Sequence, residues 1–147
     1  MGEIPMIWKI RPTPEQINAL NGSTIHESLG IRFREVGNDY LEATMPIDAR
    51  TVQPSGCLHG GASVVLAESL GSVASMFVSG GRQCLGIEVS ASHLRPAREG
   101  FVIGRTTAIH LGKTLHVWEI RIHTQDGALV CLSRLTVRVR EEPLPAT

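Results

Sequence analysis

A stretch of mostly apolar residues from Leu58 to Phe77 constrains the fold of this chain more than any other feature. It runs on without proline after a Gly-Gly step, and its apolar side chains fall on nearly every face of a 3.6-residue helix, which predicts a helix buried almost all round. One carboxylate, Glu68, interrupts this surface, and Ser72 lies one turn further along the same face. Because an unpaired carboxylate is costly to bury, Glu68 belongs either to a salt bridge or to a functional site.

The rest of the chain predicts an antiparallel sheet that curls around this helix. Two short helices come first: Thr13-Pro14 followed by Gln16 predicts a capped helix to about Asn21, and Ser23 is the expected cap of a second helix to Leu29. Alternating apolar residues then predict a hairpin before the central helix and four strands after it, joined by short links. Short links favour antiparallel neighbours, and only the sheet is available to cover the helix, so the predicted fold class is α+β.

The alternation also predicts which side chains share a face of each strand. The strand before the central helix is expected to use Leu41, Ala43, Met45 and Ile47. The first strand after the helix is expected to turn one face inward, made of Leu85, Ile87, Val89, Ala91 and His93. The last two strands are expected to present Trp118, Ile120 and Ile122, and then Leu129, Cys131, Ser133, Leu135, Val137 and Val139.

The length of 147 residues and a hydrophobic content of 42% predict a single domain over residues 1–147. Residues 1–5 are expected to be an N-terminal extension and residues 141–147 a frayed tail. Glu68 and several serines interrupt the apolar stretch, so we expect no membrane span. The N-terminus has no basic segment followed by an apolar one, which predicts a cytoplasmic protein without a signal peptide.

Composition and spacing exclude several classes of function. A net charge of zero gives no electrostatic support for nucleic-acid binding. The three cysteines form no CxxC pair and are expected to be reduced thiols. The six histidines show neither HxH nor HExxH spacing, so no metal and no cofactor is expected. The segment Gly61-Ala62-Ser63 resembles the start of a nucleophile elbow but is not followed by its final glycine.

His59, Gly60 and Gly61 at the start of the central helix are the candidate partners of Glu68. The first N–H groups of a helix have no internal partner and carry the positive end of its dipole, and glycine allows another group to approach the backbone closely. The Gly60 N–H is therefore a candidate donor to an oxyanion. The alternatives are that the two glycines only form a tight turn and that His59 is a simple helix cap.

From Met45 to Arg98, and over nearly the whole chain from about Met6 to Val139, the chain resembles the hotdog-fold acyl-CoA thioesterases. Within them it is most similar to the PaaI-like group, which includes the 1,4-dihydroxy-2-naphthoyl-CoA thioesterases, the enterobactin proofreading thioesterases and the Arthrobacter-type 4-hydroxybenzoyl-CoA thioesterases. The residues that carry the resemblance are Gln53, His59, Gly60, Gly61, Glu68 and Ser72, in that order and spacing. Ser55 and Cys57 stand in the same loop where relatives often carry Phe and Leu.

The resemblance implies a role for each of these residues. Glu68 would attack the thioester carbonyl or activate water to do so, and Ser72 would hold that water or Glu68 itself. The Gly60 N–H and the Gln53 side chain would polarise the carbonyl. His59 would position this loop and assist at the thiol end.

The resemblance also implies a substrate and an assembly. Glu68 and Ser72 of one chain would face Gln53, His59 and Gly60 of a partner chain, in a homodimer that pairs into a homotetramer. Residues implied to contact coenzyme A are Gly61, His93, Leu94, Arg95, Pro96, Arg98, Gly112 and Lys113. The substrate would be an aromatic or medium-chain acyl-CoA, with an acyl carrier protein thioester left open.

Physical chemistry is compatible with this reading. A carboxylate among Val65, Leu66 and Leu70 is expected to be poorly solvated, which raises its basicity and nucleophilicity. A thiolate leaving group needs little acid assistance, so no Ser-His-Asp set is required. The alternatives are a hotdog enoyl-CoA hydratase or dehydratase, which would be expected to pair Asp with His, and a non-catalytic acyl-CoA-binding protein, which would normally lack the helix acid.

Overall fold

In the computed structural model, which describes residues 2–143, six strands form one antiparallel sheet around a long helix. The elements are α1 (Pro14–Leu20), α2 (Ile25–Ser28), β1 (Arg32–Val36), β2 (Tyr40–Pro46), α3 (Gly60–Val78), β3 (Arg82–His93), β4 (Phe101–Leu111), β5 (Leu115–His123) and β6 (Leu129–Pro143). The helix α3 packs against β2, β3, β4, β5 and β6, so the α+β prediction of a curled sheet around one long helix is confirmed.

The strand order is β1-β2-β4-β5-β6-β3, which differs from the order along the chain. Every pair is antiparallel, as predicted, but β3 pairs with β6 and not with β4. The short link 94–100 therefore joins strands that are not neighbours. This link passes beside the start of α3, where Leu58 N–H donates to the Ala97 carbonyl at 2.7 Å. It also contacts β6, where Leu94 N–H donates to the Val130 carbonyl at 2.8 Å. As a result β3 lies at an edge of the sheet.

The helix α3 is buried on one side and half-exposed on the other. Its fully buried side chains include Leu66, Leu70 and Ala74, which pack on the concave face of the sheet. A stripe of five partly exposed residues runs along the opposite side, made of Val64, Val65, Glu68, Ser72 and Met76. The prediction of a helix buried almost all round is thus wrong for a single chain, because the sheet does not close around it.

By length and composition alone α3 is apolar enough to cross a membrane, and the expectation of no membrane span stays a prediction. A core helix of a soluble protein passes the same test, and 56% of the apolar window of α3 is buried within the fold.

Local signals at the helix ends are mostly confirmed. Thr13 and Gln16 form the predicted capping box of α1, in which each side chain bonds the other residue's backbone N–H. The cap of α2 is Thr24, not Ser23 as predicted. Ser23 instead has a φ of 60°, in the left-handed region that completes the turn between the two helices.

The predicted faces hold for the interior strands and fail at the edge. The β2 and β5 faces and most of the β6 face are buried, with Trp118 and Leu135 fully inaccessible. On β3, Leu85 and Ile87 are 46% and 59% exposed, so the predicted inward face is wrong there. An irregularity in register between Gly86 and Glu88 interrupts the alternation along this edge strand.

The last strand extends into the segment predicted to be a frayed tail. The strand β6 continues to Pro143, which lies opposite Arg82 on β3. Residues 141–143 are therefore part of the sheet, and the remainder of the predicted tail, 144–147, lies outside the described residues.

Candidate active site

The start of α3 presents one free backbone donor. His59 is the N-cap: its Nδ1 accepts a hydrogen bond from Gly61 N–H at 2.8 Å, and its carbonyl accepts one from Ala62 N–H at 3.0 Å. The His59 ring is thus a helix cap, the simpler of the two sequence interpretations. Within residues 2–143, the Gly60 N–H has no hydrogen-bond acceptor. It points outward at the positive end of the helix dipole, where an oxyanion would be stabilised.

A cavity of about 330 Å³, here called the amide cavity, lies beside this N–H. Its lining residues come from the loop before α3, the first turn of α3, the end of β3 and the link 94–100: Gln53, Cys57, Leu58, Gly60, Ser63, His93, Leu94, Arg95, Pro96 and Val130. Gly60 is tightly enclosed, since a Cβ at this position would lie 2.8 Å from His93 Nε2. The fold therefore brings together Gln53, Gly60 and the predicted segment 93–96.

The side chain of Gln53 is engaged with its own loop. Its Oε1 accepts from Ser55 N–H at 2.6 Å, and its Nε2 donates to Ser55 Oγ at 2.7 Å and to Cys57 Sγ. The hydrogen bond with Ser55 lowers the pKa of the Cys57 thiol below its ordinary value, and Gln53 and the charge of Arg98 act in the same direction. Arg98 Nη1 also donates to the Ser55 carbonyl at 3.0 Å, so this predicted residue braces the loop.

A second cavity of about 360 Å³, here called the carboxylate cavity, lies along the half-exposed stripe of α3. Its lining residues are Ile25, His26, Val64, Val65, Glu68, Ser69 and Ser72. Glu68 is half-buried, not enclosed as the apolar pattern predicted, and Ser72 lies one turn along beside it. Among the residues that the structure describes, Glu68 makes no ion pair and no side-chain hydrogen bond. The salt-bridge alternative is therefore not the one adopted.

Two features around the carboxylate cavity were missed from the sequence, one on α2 and one on β3. Ile25 and His26 reach it from α2, and no local pattern indicates that this short helix packs near the middle of α3. Burial lowers the pKa of His26 below its ordinary value of 6.5. Gly86 is the other: a Cβ there would lie 2.9 Å from Glu68 Oε1, so β3 passes directly against the carboxylate.

The two cavities are separate within one chain. Gly60 and Glu68 are eight residues apart on a continuous helix, which corresponds to ~12 Å along its axis. A single carbonyl cannot contact both the Gly60 N–H and the Glu68 carboxylate at that separation. One chain thus holds Gly60 and Glu68 in two separate cavities.

The remaining predicted residues lie elsewhere. Gly61 is exposed, and its N–H is occupied by His59. Gly112 and Lys113 line a cavity of about 230 Å³ with Lys9 and Arg82, at the opposite end of α3 from Gly60. Over the described part of the chain, no group of three or more His, Cys, Asp or Glu side chains is placed to hold a metal ion.

The curled six-stranded antiparallel sheet around one long helix is the hotdog fold of thioesterases of known structure. The sequence model of the Thioesterase superfamily matches residues 55–131, and the chain belongs to this family. It is a thioester hydrolase, as its named relatives are. The hydratase and non-catalytic alternatives are set aside by this membership.

Three relatives illustrate the similarity. The chain is 51% identical to the 1,4-dihydroxy-2-naphthoyl-CoA hydrolase of Escherichia coli, over 91% of this chain and 99% of that one. A crystal structure of a mutant thioesterase of Pseudomonas aeruginosa has a TM-score of 0.88 at 50% identity, covering 90% of this chain and 97% of that one. A Staphylococcus aureus thioesterase, solved as a Glu-to-Ala and as a Gln-to-Ala mutant, has TM-scores of 0.75 and 0.74 at 31% and 30% identity, covering 79% of this chain and 98% of that one.

Proposed function

We propose that this thioesterase hydrolyses acyl-CoA thioesters with aromatic or medium-chain acyl groups, and that Glu68 attacks the carbonyl or activates the attacking water. The observation that carries the proposal is an unpaired carboxylate in a largely apolar cavity, with Ser72 beside it. A structural glutamate would be expected to have a cationic or hydrogen-bonding partner. Ser72 then holds the water or the Glu68 carboxylate.

The amide cavity supplies the other half of the chemistry. The Gly60 N–H and the Gln53 carboxamide polarise the thioester carbonyl, and one well-placed donor of this kind contributes about 3 kcal/mol in enzymes that stabilise an oxyanion. His59 acts indirectly by capping α3, which leaves the Gly60 N–H free. The Staphylococcus aureus mutants support the pairing, since the replaced Gln and Glu lie fifteen positions apart in that chain, as do Gln53 and Glu68 here.

We further propose that the active site is completed by a second copy of the chain. The ~12 Å between Gly60 and Glu68 along α3 requires that one of the two come from a partner if both are to contact one carbonyl. The exposed edge strand β3, with Leu85 and Ile87 uncovered, is a surface on which a second copy can pack. A homodimer of this kind, paired into a homotetramer, places Glu68 and Ser72 opposite the partner's amide cavity.

The coenzyme A portion is proposed to lie along the segment 93–96 and Arg98. Arg95 is exposed at the rim of the amide cavity, where a cation suits a phosphate-bearing ligand. Gly112 and Lys113 are far from this cavity within one chain, so in this proposal they reach the ligand only from another subunit. The site is proposed to act in the cytoplasm, on free acyl-CoA or on an acyl carrier protein thioester.

The test is a thiol-release assay on a panel of acyl-CoA thioesters that includes 1,4-dihydroxy-2-naphthoyl-CoA. Glu68→Gln is expected to lower kcat by at least ~100-fold while the protein stays folded, and Ser72→Ala to lower it less. The matched control is Glu15→Gln, which changes an exposed glutamate on α1 and should leave turnover unaltered. Full turnover in a folded Glu68→Gln protein would refute the assignment.

The shared site has its own test, a mixed dimer of one Glu68→Gln chain and one Gln53→Ala chain purified with two tags. If each site takes Glu68 and Gln53 from different chains, one of the two sites is intact and the mixed dimer recovers about half of the wild-type activity. If both residues act from the same chain, both sites are damaged and no activity returns.

A further inference from the structure

Both N–H donors of the Gln53 carboxamide are occupied before any substrate enters the amide cavity. A carboxamide nitrogen carries two donors. Here one bonds Ser55 Oγ and the other Cys57 Sγ, while the carboxamide oxygen accepts from Ser55 N–H at 2.6 Å. A thioester carbonyl can therefore bind Gln53 only by displacing one of these two acceptors.

The two acceptors are unequal. A hydroxyl oxygen is a good hydrogen-bond acceptor, whereas thiol sulfur is a weak one, so the contact with Cys57 is the cheaper to give up. Ser55 holds both ends of the carboxamide, through its backbone N–H and its hydroxyl. Losing the Cys57 contact would leave both ends of the carboxamide held by Ser55, whereas losing Ser55 Oγ would leave Nε2 held only by the weaker acceptor Cys57 Sγ.

The loop that carries these groups is itself held in place. Gln53 N–H donates to the Cys57 carbonyl at 2.9 Å, and Gly56 N–H donates to the Gln53 carbonyl at 2.8 Å. Gly56 has a φ of +87°, which closes the turn, and Arg98 bonds the Ser55 carbonyl from outside. Cys57 also lines the amide cavity, so the donor that it holds lies at the cavity wall near Gly60.

We propose that Cys57 is a positioning residue: its thiol holds one Gln53 N–H at the wall of the amide cavity and releases it to the thioester carbonyl, while Ser55 keeps the carboxamide plane fixed. The inference rests on the proposed function, in which Gln53 polarises that carbonyl. If Cys57 acts in this way, kcat/KM depends on how strongly the side chain at position 57 accepts the Gln53 hydrogen bond.

Two substitutions at position 57 separate this role from simple packing, with benzoyl-CoA as the probe. Cys57→Ser supplies a stronger acceptor that competes with the carbonyl, so kcat/KM is expected to fall about threefold to tenfold. Cys57→Ala removes the competitor, so kcat/KM is expected to rise about twofold to fivefold. Ser55→Ala is expected to lower kcat/KM, because Gln53 Nε2 is then held only by the weak acceptor Cys57 Sγ.

A double-substitution cycle shows whether the effect acts through Gln53. In a Gln53→Ala background, Cys57→Ser and Cys57→Ala are expected to have equal kcat/KM. Cys84→Ser is the control, because Cys84 is a half-buried thiol on β3 that contacts Ser79 and lies outside the amide cavity. Thermal midpoints of all variants are measured in parallel.

The inference is overturned if Cys57→Ala lowers kcat/KM as much as Cys57→Ser, since both would then report lost packing. It is also overturned if the difference between the two persists without the Gln53 carboxamide. A Glu68→Gln protein assayed alongside distinguishes failure of this inference from failure of the proposed function. If that protein loses turnover while the variants at position 57 are indistinguishable, the inference alone fails; if it keeps turnover, the proposed function fails and the inference with it.

Discussion

Gly86 is predicted to control the position of the Glu68 carboxylate, and Gly86→Ala is the perturbation that tests it. A Cβ at Gly86 would lie 2.9 Å from Glu68 Oε1, whereas ordinary contacts begin near 3.4 Å. The carboxylate must therefore retreat by about 0.5 Å. The other close residue is Leu135, whose Cδ1 at 3.5 Å is at an ordinary contact distance and need not move. The φ of Gly86 is outside the left-handed region, so alanine is not strained there.

The size of the effect follows from that displacement. A misplacement of 1 Å at a reacting group costs about 100-fold in rate, so a shift of about half that distance is expected to lower kcat by roughly tenfold. Stability should change little, because the added methyl group displaces only the end of a flexible, half-buried side chain. The measurement is kcat and KM by thiol release, together with the thermal midpoint and the oligomeric state by size-exclusion chromatography.

Two other glycines provide controls. Gly22→Ala adds a methyl group whose nearest neighbour is Ala19 O at 3.7 Å, and should leave both rate and stability unaltered. Gly104→Ala places a methyl group 2.7 Å from Leu70 Cδ1 in the core, and should lower stability without a matching loss of kcat in the folded fraction. The reasoning is refuted if Gly86→Ala keeps wild-type kcat, or if it lowers the residual rate of Glu68→Gln by the same factor as in the wild type.

Two further predictions concern stability. Ser75→Ala removes a buried hydroxyl that accepts from Trp118 Nε1 at 2.7 Å and bonds His116 Nδ1 at 2.9 Å, so the free energy of unfolding in urea titrations should fall by about 2 to 4 kcal/mol. The control Ser28→Ala changes an exposed serine and should alter the free energy of unfolding little. Equal stability of the two variants would contradict a stabilising role for the Ser75 hydrogen bonds. Burial would raise the pKa of Glu42, but hydrogen bonds from two arginines outweigh it and hold the pKa below its ordinary 4.5. The ionised Glu42 therefore stabilises the fold above pH 4.5, and this stabilisation is lost as the pH falls through the lower pKa of the folded state. Glu42→Gln should therefore flatten the fall of the thermal midpoint with decreasing pH between about pH 5 and 3. An unaltered slope of thermal midpoint against pH would rule this out.

The helices and interior strands were predictable from the sequence because the period of their apolar residues matches the geometry of the element and the face that it buries. The central helix has a strong apolar pattern and a glycine pair at its start, and the structure begins it at Gly60 as expected. The interior strands alternate cleanly, so Trp118 and Leu135 point inward as predicted. The capping box at Thr13 was equally readable, since it depends on residues three positions apart.

Features set by distant parts of the chain were not predictable. The β3 pattern suggested an inward face, but β3 pairs with β6 at the sheet edge, and Leu85 and Ile87 are exposed. His26 lines the carboxylate cavity only because α2 folds back toward α3. The family resemblance assigned Gln53 to the predicted site, but the sequence could not indicate that its carboxamide is bonded within its own loop.

The half-exposed stripe of α3 bears on why an unpaired carboxylate is tolerated at all. If Glu68 were enclosed by its own sheet, folding of a single chain would bear a desolvation cost of several kcal/mol, comparable with the stability of a small domain. In this fold the sheet leaves Glu68 half-exposed, so that cost does not fall on folding. In the proposed dimer the remaining desolvation occurs on assembly, where the apolar surface of Leu85 and Ile87 is covered at the same time and offsets it. An acid in such a position is compatible with a stable chain and becomes poorly solvated only where the partner's donors are also present.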